Sequence, residues 1–295
     1  MNKDHGIGLL VLLGIISIAL FGGSKGSGNN GLLSSGNATP EQKQTNIQQQ
    51  INTTQYQIDT LQKQIQEEND KKTRSQYYGL VSIAYINRST TPDQEYVALR
   101  VDYSATTSIP ITGWTLKSTS SGNLVKIPKG NYLYFSGQVN SEENIYLNKG
   151  DTMYVVTGVS PIGLSFRSNK CSGYLGQFQT FVPYIGGSCP SPRNENLSSI
   201  PNGPNNDACF DYIDSFPNCR IQTDPLPANL SYECNTFIYK KINYASCIDT
   251  HKNDKDFYVP EWRVYLRHAD HIWKDRRENI VLYDNLGKIV ASLSY

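Results

Sequence analysis

The sequence has almost no excess of either charge, and this absence bears first on its partners. Lysine and arginine together number 27 against 26 for aspartate and glutamate, which leaves a formal net charge of +1. Proteins that bind nucleic acid neutralise phosphates with clustered basic side chains, and no long basic stripe is present here. We therefore expect no nucleic-acid partner.

Cysteine is absent from residues 1–170 and 248–295, so all six cysteines lie between these two ranges. The closest pair is Cys209 and Cys219, whereas zinc fingers and ribbons need cysteines about two to four residues apart. An even number of cysteines behind an export segment instead favours disulfides. Pairing of neighbours closes the shortest loops at the lowest entropic cost, and it predicts the following bridges: Cys171–Cys189, Cys209–Cys219 and Cys234–Cys247.

Motifs for catalysis are also lacking, because the chain contains no HExxH helix and no phosphate-binding glycine loop. One dense group of acid-base side chains remains, namely His251, Asp254, Asp256, His268, Asp270, His271 and Asp275. Apolar residues at 262–266 and 272–273 would dock this segment on the rest of the protein and leave the polar side chains in solvent. We assign no catalytic, cofactor-binding or metal-binding residue, and we expect no cofactor.

The N-terminus has an uncharged apolar run over residues 6–23, preceded by Lys3. Its apolar centre is near the lower limit of about 17 residues for a membrane-spanning helix. No small-residue cleavage signal and no lipid-accepting cysteine follow it. We predict an uncleaved transmembrane anchor over residues 1–23, with the C-terminal part outside the membrane. A cleaved signal peptide and a buried globular helix are the alternatives.

Residues 24–38 are rich in glycine, serine and asparagine and predict a flexible linker. A helix is predicted over residues 39–76, because Thr39, Pro40 and Gln42 form a typical helix start. From residue 47, one face of this helix carries a mostly apolar stripe with intervals of four and three, the heptad spacing of a coiled coil: Ile47, Ile51, Thr54, Ile58, Leu61 and Ile65. We expect self-association through this stalk, and a solvated or docked helix is the alternative.

Alternating apolar residues predict strands in the remainder. Val97, Leu99 and Val101 share one face of a strand. Residues 109 and 111 have the opposite parity to Trp114 and Leu116, which predicts a β-bulge near Gly113. Residues 278–295 alternate on both sides of a turn cluster at 284–287 and predict a closing hairpin that brings the last residue to the sheet.

These segments resemble the lamin-tail domain family. The resemblance rests on Glu95-Tyr-Val-Ala-Leu99, Ile111-Thr-Gly-Trp-Thr-Leu116 and the closing Leu282-Tyr-Asp-Asn-Leu-Gly-Lys-Ile-Val290, in the family's order. It implies a mainly β, immunoglobulin-like β-sandwich over residues 77–295, interrupted by a cysteine-rich insertion at about 169–277. It implies no enzymatic activity.

Taken together, these features predict a membrane-anchored module that lies outside the cell. It would bind a cell-surface protein or glycan without chemistry of its own. A metal-dependent enzyme or hydrolase with a site around His251, His268 and His271 is one alternative. A structural component of the cell envelope is the other.

Overall fold

A computed structural model describes residues 40–295, and the predicted anchor and linker lie outside these residues. Within the described part, no helix is both long and apolar enough to cross a membrane. The described part of the chain divides into two units, residues 40–62 and 63–295. The predicted stalk is helix α1, Pro40–Thr73.

The second unit is mainly β, as predicted, and its strands form three sheets. In chain order the strands are β1 (Val81–Asn87), β2 (Tyr96–Val101), β3 (Ile109–Pro110), β4 (Thr115–Ser118), β5 (Leu124–Lys126), β6 (Tyr146–Leu147), β7 (Thr152–Val156), β8 (Phe166–Asn169), β9 (Tyr258–Tyr265), β10 (Asn279–Tyr283) and β11 (Ile289–Ser294). The five-stranded sheet has the order β1-β2-β7-β9-β8 and the four-stranded sheet the order β11-β10-β4-β5, while β3 and β6 pair separately.

Both larger sheets contribute to one hydrophobic core. Leu99 of β2 and Trp262 of β9 belong to the same buried cluster as Leu116 of β4 and Leu282 of β10. All four side chains are fully buried. Because strand side chains alternate between faces, the odd-numbered residues of β2 and the even-numbered residues of β9 meet in this core.

The segment around Gly113 differs from the prediction. Ile111, Trp114 and Leu116 are all buried, as expected, but no bulge within one strand is responsible. Instead the chain turns at Gly113, with φ +83, and passes from β3 into β4 of a different sheet. The turn shifts the alternation of buried residues by one position, as an extra residue in a strand would. The spacing of the apolar residues therefore does not distinguish a bulge from a turn.

The closing hairpin is confirmed. Strands β10 and β11 pair antiparallel, and Gly287 in the connecting turn has φ +73. The amide of Tyr295 donates to the carbonyl of Glu278 at 3.1 Å, which brings the last residue beside the sheet. The predicted strand around residue 97 is β2, which pairs antiparallel with β1 and β7.

The segment predicted as an insertion contains both helices and a strand. Helices α2 (Asp207–Ser215), α3 (Tyr232–Lys241) and α4 (Tyr244–His251) surround a second buried cluster. The hydroxyl of Ser231 caps α3 and the side chain of Asn243 caps α4, each by accepting an amide N–H of the first turn. The segment then returns as β9, which enters the five-stranded sheet parallel to β7.

Candidate functional site

All six cysteines form disulfides, as predicted, but the predicted partners are wrong. The bridges are Cys171–Cys247, Cys189–Cys219 and Cys209–Cys234. Cys209 lies on α2 and Cys234 on α3, and both sulfurs are buried in the cluster between these helices. Loop entropy favours short closures, but the packing of the helices decides which thiols meet.

The insertion covers part of the sheet face opposite the core. Phe181 stacks edge-to-face on Phe166 of β8 with ring centroids 5.9 Å apart. Beside them, the buried guanidinium of Arg263 on β9 donates to the carbonyl oxygens of Pro183 and Tyr184, the latter at 3.1 Å. Its Nε also donates to Glu261 Oε1 at 2.8 Å, so the buried cation is paired. Arg263 therefore ties segment 181–185 to the sheet.

A cleft of about 270 Å³ opens beside this attachment, between the sheet and the insertion. Tyr154 of β7 supplies an aromatic wall, and Gly186 lies on the insertion side. Besides the phenol of Tyr154, the lining carries four serine and threonine hydroxyls, those of Thr152, Ser168, Ser172 and Ser188. The cleft thus offers an aromatic side chain and several hydrogen-bonding groups within a small volume.

Two side chains of opposite charge also line the cleft. Glu261 accepts a hydrogen bond from Ser168 Oγ at 2.8 Å through Oε1, while its Oε2 has no hydrogen-bond partner among the described residues. Lys170 Nζ lies 2.6 Å from Asp256 and 3.1 Å from Asp254. The hydrogen bond to Asp256 is the largest of the effects that raise the pKa of Lys170, so this lysine stays charged. The cleft therefore offers a free carboxylate oxygen and a fixed ammonium group.

The structure brings together only part of the predicted acid-base group, because His251 contacts Asp254, which shares Lys170 with Asp256. His251 lies between Glu195 (Nε2–Oε1 2.9 Å) and Asp254 (Nδ1–Oδ2 2.8 Å). His271 instead contacts Glu95 (Nδ1–Oε2 3.0 Å). His268 lies in a loop, and its side chain is exposed. Across residues 40–295, no three side chains of histidine, cysteine, aspartate or glutamate are arranged to hold a metal ion.

The histidine contacts affect proton binding. Burial lowers the pKa of His251, but the hydrogen bonds to Glu195 and Asp254 outweigh it and raise the pKa overall. The hydrogen bond to Glu95 likewise raises the pKa of His271. Both imidazoles are thus stabilised in the charged form by carboxylates, and each links two segments of the chain.

Two buried carboxylates have no signal in the sequence. Glu95 accepts from Thr157 Oγ1 at 2.7 Å and from the amide of Ile272 at 3.0 Å, in addition to its contact with His271. Glu278 accepts from the hydroxyl of Ser118 at 2.8 Å and from the amide of Lys274 at 3.0 Å. Together they hold the loop between β9 and β10. A glutamate that flanks a strand is ordinarily exposed, so only the tertiary contacts reveal this role.

In two other clefts the charged side chains are engaged within the protein, as Lys170 is in this one. An open one of about 810 Å³ includes Arg88 and Lys274, but Arg88 donates to the carbonyl of Asp275 and Lys274 Nζ to that of Ser120 at 2.8 Å. The other, of about 240 Å³, lies within the insertion beside Glu195, whose carboxylate is engaged by His251. We take the cleft between sheet and insertion as the candidate site, because it combines Tyr154, four serine and threonine hydroxyls and the unpaired Oε2 of Glu261 among the described residues.

Comparison with known proteins gives no relative: no family model, no curated protein and no solved structure matches the chain.

Proposed function

We propose that this protein is a non-catalytic, membrane-anchored module that lies outside the cell and binds a cell-surface protein or glycan. The observation that carries the proposal is the cleft between the five-stranded sheet and the disulfide-linked insertion. We also propose that the two larger sheets belong to an immunoglobulin-like sandwich of the lamin-tail type, on the motif resemblance and the shared core.

The lining of the cleft favours a glycan. A sugar ring has an apolar face that stacks on an aromatic ring and a rim of hydroxyls that donate and accept hydrogen bonds. Tyr154 provides the ring, and Glu261 and Lys170 provide an acceptor and a donor beside the four lining hydroxyls. At about 270 Å³ the cleft is slightly smaller than the roughly 300–1,000 Å³ of typical small-molecule sites, so it suits one sugar unit at the end of a chain.

The disulfides support a location outside the cytoplasm. Three bridges form within the described residues and none of the six cysteines is free. Such bridges persist in oxidising compartments and are rare where thiols are kept reduced. The apolar run at residues 6–23 supplies the means of export and attachment.

The proposal is tested with a pair of neighbouring glycines. A Cβ atom at Gly186 would meet only Ser188 Oγ, at 3.8 Å, and a Cβ atom at Gly187 would meet nothing within 4 Å. Both positions therefore tolerate a side chain, but only Gly186 lines the cleft. The variant Gly186→Arg should fill the cleft without disturbing the fold, and Gly187→Arg is the matched control.

The full-length protein in mild detergent is applied to an array of glycans and, in parallel, to an array of surface-protein peptides. We expect binding to glycans that Gly186→Arg abolishes and Gly187→Arg retains. Binding to peptides alone, lost in the same variant, would replace the glycan with a protein ligand. Equal binding by both variants would remove the cleft from the proposal, and the absence of any ligand would refute it.

A further inference from the structure

The seam of helix α1 is flanked by glutamine at every position. The stripe Ile47, Ile51, Thr54, Ile58, Leu61 and Ile65 occupies alternating d and a positions of a heptad. The e and g positions on either side of it are residues 48, 50, 55, 57, 62 and 64, and all six are glutamine. A random polar surface would mix charged side chains into these positions, as the outward positions 59, 63 and 67 do.

This apolar stripe is exposed in the single chain. The exposed fractions are 57% for Ile47, 54% for Ile51, 38% for Leu61 and 46% for Ile65. An apolar stripe that continues over about five turns of a helix is costly to leave in water. A second helix with the same heptad spacing can cover this stripe, because each a or d side chain of one helix inserts between side chains of the facing helix.

We infer that the protein self-associates through α1, with a second copy of the same helix as its partner, parallel and in register. Charged e and g positions ordinarily choose the partner and the orientation of a coiled coil. Uncharged glutamine neither repels an identical chain nor favours a different one. The flanks therefore suit pairing between copies, and the strength of this pairing should be insensitive to salt. The inference does not depend on the ligand of the cleft.

Thr54 favours the parallel orientation. It is the polar residue of the stripe, and a parallel in-register pair places its hydroxyl opposite the same hydroxyl of the partner. In an antiparallel pair aligned on the whole stripe, Thr54 faces Ile58 and its hydroxyl is buried against an isoleucine. A polar residue at one core position is a known determinant of register.

The seam ends within the helix. The next core positions after Ile65 are Glu68 and Lys72, both of which are exposed and charged. Burying either in a helical interface would cost more than an apolar contact contributes. Pairing is thus confined to residues 47–65, about three heptads, and it should be reversible with concentration.

The first test measures the mass of the full-length protein in detergent by sedimentation equilibrium. Wild-type protein should show a concentration-dependent mass of at least two chains. Ile51→Lys/Ile58→Lys should be monomeric, although lysine has the higher helix propensity of the two residues. The matched control Thr53→Lys/Thr60→Lys adds the same charges to the outward face and should assemble like wild type. A monomeric wild type, or equal assembly of both variants, would overturn the inference.

The second test decides the orientation with charges at the flanks. In a parallel pair, g residue 50 lies beside e residue 55 of the partner, and 57 beside 62; in an antiparallel pair, g lies beside g and e beside e. The variant Gln50→Glu/Gln57→Glu/Gln55→Lys/Gln62→Lys therefore gains attractive pairs only if the helices are parallel. We expect roughly tenfold tighter assembly at low salt and a new salt dependence. Weaker assembly of this variant would mean antiparallel pairing and would overturn the orientation.

Discussion

Replacement of Glu278 by glutamine removes a buried negative charge on which three hydrogen-bond donors converge. The residue is 1% exposed, and it begins the closing hairpin. Its Oε1 accepts from the amide of Asn279 at 2.8 Å and its Oε2 from the amide of Lys274 at 3.0 Å. The hydroxyl of Ser118 lies 2.8 Å from both oxygens.

Glutamine fills the same space but cannot satisfy the same donors. Whichever way its amide is turned, the NH₂ group replaces one oxygen and faces a backbone N–H. One buried donor then loses its acceptor, at about 1–3 kcal/mol, and the remaining bonds become weaker because they no longer involve a charge. We expect Glu278→Gln to lower the free energy of unfolding by about 2–4 kcal/mol, out of a total of roughly 5–15 kcal/mol for a typical domain.

Equilibrium unfolding in urea, followed by tryptophan fluorescence, measures this loss. The three tryptophans are 1%, 0% and 4% exposed and lie in the core shared by the two sheets, so their emission reports this unit. Glu143→Gln is the matched control, since Glu143 is exposed and its carboxylate has no hydrogen bond or ion pair among the described residues. If Glu278→Gln lowers the free energy of unfolding no more than Glu143→Gln does, the reasoning is refuted.

The pH dependence gives the same test a second readout. Burial raises the pKa of Glu278, but the amide of Lys274, the hydroxyl of Ser118 and the amide of Asn279 together lower it below the ordinary 4.5. A lowered carboxylate pKa stabilises the fold above pH 4.5, and this stability is lost as the pH falls through the lowered pKa. The difference between wild type and Glu278→Gln should therefore narrow below pH 4.5. A difference that stays constant down to the acid unfolding transition would contradict the role of the charge.

Three further predictions concern the insertion. In urea unfolding, Cys171→Ala/Cys247→Ala should lower the free energy of unfolding by about 4.5 kcal/mol and Cys189→Ala/Cys219→Ala by about 3.6 kcal/mol. The first loss is larger because that bridge spans 76 residues and the second spans 30, so equal losses would contradict the loop-entropy argument. Non-reducing peptide mapping by mass spectrometry should recover these bridges and the intact N-terminal peptide, and free thiols would count against export. The pKa of His251 is raised above 6.5, so the stability that His251 contributes should be full below pH 6.5 and lost as the pH rises through the raised pKa. The difference in free energy of unfolding between wild type and His251→Asn should therefore narrow as the pH rises, and a constant difference would disprove this.

Self-association and ligand binding would reinforce one another if both proposals hold. A parallel pair of stalks presents two clefts on one assembly, and the second binding event then occurs within a complex already formed. Disruption of the seam at Ile51 and Ile58 should weaken attachment to a surface carrying many ligands more than binding to a single soluble ligand. Equal weakening of surface attachment and of binding to a soluble ligand would mean that self-association does not strengthen ligand binding.

Features set by neighbours along the chain are predictable from the sequence, whereas features set by distant residues are not. The strand around Val97, the helix that starts at Pro40 and the hairpin that ends at Tyr295 were predicted, since each is defined by a spacing of neighbours along the chain. The break at Gly113 was located correctly, but its form was wrong, because a bulge and a turn leave the same parity of buried residues.

The candidate site could not be predicted, because its parts are distant in sequence. Tyr154 and Glu261 meet only because β9 enters the sheet parallel to β7, more than a hundred residues later in the chain. The apolar residues of this segment predict that it docks on the rest of the protein, but they do not show that it is a strand of the sheet. The histidines at 251 and 271 lie nearer to one another in the sequence, but they engage separate carboxylates.

The sequence by itself determined the strand faces, the heptad seam with its glutamine flanks, and the fact that the cysteines pair with one another. These follow from local periodicity and from composition, which need no knowledge of the fold. The tertiary structure alone decided which cysteines pair, where β9 lies, and which carboxylates become buried acceptors. Each of these depends on contacts between segments far apart in the chain, and the free energy of such contacts is set by how the whole core packs.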